Sequence, residues 1–387
     1  MHRNRIIFIM VLCALLLTSC IKLFDPVIES SDAVKFVVSG QVIKGEDIQQ
    51  VNISVTSPIS KPAYIPLTGC QVTIQDNMGN GYVATDQFDG NYNFYIPESN
   101  LTPGLAFMVN ILTPGGINIV SDFDSLNDCP DVDTVYYVLK DVPTSDPEVF
   151  KKGLQFYVDL NGENSSSRFF RWEPEETWEY HSTWPIEWYY DGTVHHVFPA
   201  DYSRMVCWKT EIDKNIYPLS TENLESNIYK ALPLQFVDNY STSKLVYGYS
   251  LLLRQFALSR EAYSYWEKMR INNTEQGGLY DKQPLAIRGN LHNASNPDQA
   301  VLGFFGAAVM KTKRIFVSNV ENLPIEYSPN CTPGPFMRGG FKEVSPEEYP
   351  FYLYGDKYGF SMSQLQTQCV DCLSVGGTNI KPSFWPY

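Results

Sequence analysis

The chain reads as mainly β: an N-terminal Ig-like β-sandwich followed by a larger β-rich domain with one clear helix. Three observations point there. Apolar residues recur with a period of two over short runs, such as Val34, Phe36 and Val38, or Val51, Ile53 and Val55. Such alternation marks strands with one buried face. The runs are separated by turn formers at Asp76 to Gly81, Asp89-Gly90-Asn91 and Pro114-Gly115-Gly116. Finally, 25 Tyr, 25 Gly and 25 Pro favour sheets and turns over helix bundles.

Ahead of the first strand, Arg3 and Arg5 precede an apolar run from Ile6 to Leu17, which closes on Leu16-Leu17-Thr18-Ser19-Cys20. A basic start and an apolar run too short to span a bilayer make residues 1–19 a secretory leader. A cysteine directly after the cleavage point resembles the lipobox of bacterial lipoproteins. That resemblance makes Cys20 the lipid-bearing first residue, held in the outer-membrane leaflet at roughly 0.8 kcal/mol per buried methylene. Residues 20–33 then form a lipidated tether. Ile21, where an aspartate would favour inner-membrane retention, directs the expectation to the outer membrane, with the cell surface preferred over the periplasmic face.

A 387-residue chain is long enough for more than one domain. The expected division is a sandwich over 34–123, an acidic linker over 124–133 and a β-rich C-terminal domain over 134–387. The linker holds Asp124, Asp128, Asp131 and Asp133 and is expected to be solvated. Calcium binding by these acids is the alternative, but Leu126 and Asn127 break the EF-hand spacing. Asp124-Ser125-Leu126 and Asp133-Thr134-Val135 resemble the O-glycosylation triplets of Bacteroidota, with Ser125 and Thr134 as acceptors. A net charge of −14 with no basic stripe speaks against nucleic acid as a partner.

The second domain should begin with strands at Val135–Leu139 and Leu154–Leu160. The densest aromatic stretch follows, with Trp172, Trp178, Trp184 and Trp188. Pairs spaced by two (Phe170/Trp172, Trp178/Tyr180, Trp188/Tyr190) fit strands packed on a core. The same residue types also build partner or ligand surfaces, and both readings stand. One helix is expected, with Ser259 as N-cap, Glu261 near its positive end and an apolar stripe of Ala262, Tyr265, Trp266 and Met269. It should stop near Gln276-Gly277-Gly278, with strands at Val301–Ala308 and Lys313–Val317 beyond.

Six cysteines remain once Cys13 leaves with the leader and Cys20 is acylated. An oxidising envelope favours disulfides. Cys369-Val-Asp-Cys372 admits a redox pair, two zinc ligands or disulfide partners. A structural disulfide is expected, preferably Cys331 with one of the two, and Cys70 with Cys129 second. Ser241-x-x-Lys244 lacks the companion penicillin-binding motifs. His195 and His196 point to opposite faces on any strand. Glu173, Glu175 and Glu176 would serve a glycosidase only at a set carboxyl separation. No catalytic residue, cofactor or metal is expected.

Several of these features occur together: the Glu261-Ala262-Tyr263 helix with Trp266, Gly289-Asn290 and Val301-Leu-Gly-Phe-Phe305. The tail adds Cys369-x-Asp-Cys372, Gly376-Gly377-Thr378-Asn379, Lys381-Pro382 and Phe384-Trp385. They resemble the Bacteroidota outer-membrane lipoproteins filed as domain of unknown function 4249. The run Leu67 to Ile74, with Asp89-Gly90-Asn91-Tyr92, is similar to transthyretin-like, carboxypeptidase-regulatory-like sandwiches. The resemblance implies no enzymatic activity. It implies an accessory subunit of an integral β-barrel complex, either a TonB-dependent transporter or barrel-assembly machinery, acting by tethered protein–protein binding alongside associated lipoproteins. The alternatives are a surface lipoprotein that captures a glycan or peptide nutrient, and an envelope hydrolase.

Overall fold

Alternating apolar runs become strands when one face of each can be buried, and a computed structural model of the chain is built almost wholly this way. It describes residues 34–58, 61–144, 146, 148, 150–274, 287–355 and 362–386. The expected leader, Cys20, the tether to residue 33 and the helix stop at 276–278 lie outside these residues.

The first strands are β1 (Phe36–Lys44), β2 (Gln49–Val55), β3 (Ile65–Pro66), β4 (Gln71–Asp76), β5 (Gly81–Val83), β6 (Thr85–Asp86), β7 (Asn91–Phe94), β8 (Ala106–Leu112), β9 (Asn118–Ser121) and β10 (Asp124–Ser125). Next come β11 (Thr134–Pro143), β12 (Phe150–Asn161), β13 (Phe169–His181), β14 (Ile186–Tyr190), β15 (Val194–Asp201), β16 (Val206–Ile212), β17 (Tyr217–Ser220), β18 (Ile228–Asp238) and β19 (Gly248–Ala257). Helix α1 (Arg260–Thr274) precedes β20 (Leu291–Asn293), β21 (Leu302–Val317), β22 (Gly334–Pro335), β23 (Phe351–Gly355) and β24 (Met362–Gln364).

A ten-stranded sheet runs β16-β13-β19-β21-β1-β2-β7-β6, with β17 on β13 and β3 on β2. A second sheet runs β20-β9-β8-β4-β5, with β10 on β8. Val38, Val42, Val51 and Ile53 from the first sheet share one core with Val72, Ile74, Phe107 and Ile111 from the second, all at most 1% exposed. Each such side chain contributes about 1.5–3 kcal/mol by leaving water. This is the expected sandwich arrangement. Two smaller sheets, β11-β12-β18 and β15-β14-β23-β24-β22, complete the fold.

The expected division into separate domains does not hold. β1 pairs antiparallel with β2 and, on its other edge, parallel with β21, from Val37↔Leu302 to Lys44↔Val309. The sheet therefore passes unbroken from the sandwich into the C-terminal half, and the chain from Phe36 onward is one compact unit. Sheet two likewise recruits β20 from the far half, through Leu291↔Ser121 to Asn293↔Ile119.

Nor is 124–133 a solvated linker. Leu126, Cys129 and Val132 recur every third residue and are buried in the main core. Asp124 and Ser125 form a strand on β8. The Asp124 carboxylate is 3% exposed and accepts the Ala307 backbone N–H at 2.7 Å. Desolvation pushes its carboxyl up to about 6. The outer acids are paired, Asp131 with Lys311 at 2.9 Å and Asp133 with Lys230 at 3.0 Å. Of the expected glycan acceptors, Ser125 is half-buried in β10 and Thr134 is exposed at the start of β11.

Helix α1 begins as its sequence indicates, the Ser259 hydroxyl accepting the Ala262 N–H at 3.0 Å. Ala262 packs with Phe256, Leu258, Phe304 and Ala308 in a second apolar cluster. The two strands expected at 301–308 and 313–317 are one 16-residue strand, β21. No turn former separates Val309 from Thr312, so nothing interrupts the ladder.

The raised Asp124 carboxyl gives stability a pH dependence. A folded state that binds this proton more tightly than the unfolded chain is favoured below about pH 4 and loses that advantage as pH rises through about 6. The whole swing is roughly 3 kcal/mol. Asp124→Asn should remove it. Urea unfolding of both proteins at several pH values checks this, and a wild-type-minus-variant difference that stays flat from pH 4 to 8 would contradict it.

Candidate functional site

The four tryptophans of the aromatic stretch do not converge. Trp172 is fully buried on β13, its indole N–H donating to Gln255 Oε1 at 3.0 Å. Trp178 is 6% exposed, with the Lys244 ammonium 4.8 Å from its ring centroid. Trp184, half-buried, donates to the Cys331 carbonyl at 2.9 Å and meets Tyr354 edge-on. Trp188 stacks on His196 at 4.0 Å. The stretch is thus core at Trp172 and Trp178 and packing of the small sheet at Trp184 and Trp188.

Where β13 ends, a cleft of about 400 Å³ opens between Trp178, Tyr180, His181, Lys209, Tyr247 and Tyr327. His181 stacks on Tyr247 with 3.6 Å between ring centroids and meets Glu179 Oε1 at 2.8 Å. A cleft of this size, aromatic with a few polar groups, has the make-up of a small-molecule or side-chain pocket.

The C-terminal tail forms one wall of this cleft. Cys331 bonds Cys369, and Cys207 bonds Cys372. The two cysteines of the Cys-x-x-Cys motif thus reach different partners, instead of acting as a redox or zinc pair. Asp371 between them accepts Arg204 Nη1 at 2.5 Å, the Tyr352 hydroxyl at 3.1 Å and the Leu373 N–H at 3.0 Å. The Tyr180 hydroxyl donates to the Cys372 carbonyl. Further on, Trp208 and Thr378 exchange backbone hydrogen bonds at 2.8 and 2.9 Å. The Trp385 indole donates to Glu179 Oε2 at 3.1 Å.

Cys331 with Cys369 matches the preferred pairing. Cys207 was not singled out, because it lies 165 residues from its partner and carries no spacing signal. The expected Cys70–Cys129 bond is absent, and both thiols are free and buried. Cys70 sits in the sandwich, its N–H donating to the Tyr92 hydroxyl at 3.1 Å, whereas Cys129 packs beside Gln255 on β19. Burial pushes the Cys129 thiol up to about 12, which keeps it protonated.

The acidic run of β13 is spent on ion pairs. Glu173 contacts Arg171 and Arg254, both at 3.2 Å, and Glu175 contacts Arg254 at 2.5 Å. Glu176 accepts from Lys244 at 2.5 Å and from the Tyr249 hydroxyl at 2.7 Å. Ser241 donates instead to Asp238, so the Ser-x-x-Lys residues engage different carboxylates. His195 and His196 take opposite faces of β15, on Tyr189 and Trp188 respectively. Among the described residues no three His, Cys, Asp or Glu side chains converge on a metal position.

Replacing Cys207 and Cys372 together by serine should lower stability by about 2–5 kcal/mol, since the bond closes a long loop and anchors the strap. Cys70→Ser joins nothing and should leave the tail in place. Denaturant midpoints and limited proteolysis of the tail compare the two; equal effects would contradict the assigned pairing.

No helix among the described residues is long and apolar enough to cross a membrane. No curated protein matches the chain. The family model described as Domain of unknown function (DUF4249) matches residues 21–314. The match stops inside β21, so the strap with Cys331, Cys369 and Cys372 lies beyond it. With most of its length covered, the chain belongs to the DUF4249 family.

Proposed function

We propose that this protein is a lipid-anchored outer-membrane subunit that works by binding rather than by chemistry, docking on an integral β-barrel together with associated lipoproteins. The anchor is acylated Cys20, and the cell surface is the preferred side. A tethered protein needs only modest contacts, because the membrane raises its local concentration.

The observation that carries this reading is the outer edge of the three-stranded sheet. Among the described residues β11 pairs with β12 alone, over ten residues. On it Tyr137, Val138 and Leu139 are consecutively exposed, at 37%, 48% and 38%. Lys140 and Asp141 charge the strand beyond this triplet, but the triplet itself leaves an exposed apolar stretch on an edge strand, a place that invites pairing with another chain. Strand addition supplies main-chain hydrogen bonds, and the alternating side chains set specificity.

A second reading, capture of a peptide or glycan for a transporter, is favoured by the aromatic cleft of Trp178, Tyr180 and Tyr247.

The test is a mild-detergent pull-down of tagged full-length protein from its own outer membrane, analysed by mass spectrometry. A stoichiometric barrel protein is expected, and it should be lost when Val138→Lys and Leu139→Asp are combined. Recovery of the protein alone, or a partner indifferent to both substitutions, would overturn the edge-docking role.

A further inference from the structure

We infer that the cavity between α1 and the amide-bearing face of β1 and β2 is a binding site for a neutral, polyhydroxylated ligand, a sugar ring. It is separate from the aromatic cleft and independent of the edge-docking reading. Its volume is about 420 Å³, within the usual range of roughly 300–1,000 Å³ for small-molecule sites.

One wall is built from amides. Gln41 projects from β1, and Gln50 and Asn52 from β2, on the face opposite the core residues Val42, Val51 and Ile53. Cross-strand bonds pin two of them. Gln50 Nε2 donates to Asn93 Oδ1 at 3.1 Å, and Asn52 Nδ2 donates to Asn91 Oδ1 at 2.8 Å and to the Tyr64 hydroxyl at 2.7 Å. Their carbonyl oxygens accept nothing, and the Gln41 amide has no partner among the described residues. Open carbonyl oxygens on all three amides, with unspent N–H groups on Gln41 and Gln50, match hydroxyl groups, which both donate and accept.

The opposite wall supplies donors. Arg171 is 7% exposed, its guanidinium held between Phe256 and Trp266 at 4.5 and 4.4 Å from the ring centroids. Among the described residues its guanidinium donates only to Glu173, at 3.2 Å, and its Nε–H is buried and unsatisfied. The Trp266 indole N–H is likewise buried and unsatisfied. Buried donors are almost always paired in a folded protein. Both residues line this cavity, so an acceptor oxygen within it is the partner they lack. Tyr265 stacks on Phe304 at 5.0 Å and adds an apolar patch for the carbon face of a ring.

Charge decides the ligand class. Arg171 and Glu173 are the lining charges, and they are paired with each other. An anion would face Glu173 and a cation Arg171, each with no free counter-charge, whereas an uncharged ligand meets no such penalty. A free saccharide and the terminal sugar of a larger glycan offer the same hydroxyls.

The test uses the full chain in lauryl dimethylamine oxide, a detergent with no sugar headgroup. Ligand-observed saturation-transfer NMR and calorimetry would screen glucose, galactose, mannose, N-acetylglucosamine and maltose, with an asialo-glycoprotein as the glycan arm. Inorganic phosphate and choline serve as anionic and cationic probes. Binding of at least one neutral saccharide, free or conjugated, is expected, weakened about tenfold by Gln41→Ala and again by Trp266→Phe, which deletes the N–H but keeps the ring. The Gln41 side chain has no hydrogen-bond partner among the described residues, so its truncation should leave the melting temperature unchanged. Absence of binding by every sugar and by the glycoprotein would overturn the inference. So would sugar binding indifferent to both substitutions, or binding of phosphate or choline in place of sugar.

Discussion

The parallel ladder between β1 and β21 is the contact on which the rest of the architecture depends. It joins segments more than 260 residues apart, from Val37↔Leu302 to Lys44↔Val309. β21 also pairs along nine residues with β19, so a single strand carries the sandwich on one edge and the C-terminal half on the other. Such closeness constrains the backbone. Gly303 holds a φ of +103°, and a Cβ there would lie 1.8 Å from the Val38 carbonyl oxygen. Only glycine combines that dihedral with that approach. A side chain at 303 would push the first residues of the ladder apart, and the sandwich would lose its link to β19.

Around this ladder the core is tied by a few buried polar groups. Gln255 is fully buried on β19, takes the Trp172 indole N–H and donates to the Pro130 carbonyl at 2.7 Å. It thereby fixes the 126–132 segment against the large sheet, while Asp124 fixes its start to β21 through the Ala307 N–H. Unmaking either bond would strand a buried donor, at a cost of about 1–3 kcal/mol.

Local pattern revealed the strands, the Ser259 cap and the β identity of the aromatic stretch, because each depends on neighbours within a few residues. The long-range partners were hidden. Val34 to Lys44 reads as one more sandwich strand whether or not a second strand lies beside it, and alternation cannot report that β1 is paired on both edges. The acids at 124–133 masked the buried triplet Leu126, Cys129 and Val132, and an average over composition reads such a segment as wet. The partners of the Glu173 to Glu176 run were hidden as well, since the counter-ions Arg254 and Lys244 lie some 70 to 80 residues away. The sugar-sized cavity had no signature either. Its walls come from β1, β2, β13, α1 and β21, and each contributes residues unremarkable in isolation.

Edge management separates the sheet edges that the fold caps or trims from those it leaves open, among them β11 and, in the five-stranded sheet, the eight-residue β15. The β16 end of the large sheet is capped by the tail, where Trp208 and Thr378 pair, and two disulfides hold that strap down. Its other end is the two-residue β6, and the second sheet ends on the three-residue strands β20 and β5. In the three-stranded sheet, β18 borders a charged cleft that includes Glu176, Asp213, Lys214 and Lys244. β11 has neither a cap nor brevity, and its centre carries Tyr137, Val138 and Leu139 before the charges of Lys140 and Asp141. A fold that covers one edge with a disulfide-pinned tail and trims three others does not need three exposed apolar residues in the middle of a ten-residue edge strand for its own stability. Selection against aggregation would favour a charge at Val138 unless another chain covers it. The exposed edge is therefore where a partner strand has the most to gain, because the main-chain groups of β11 on that side await the hydrogen bonds it would bring.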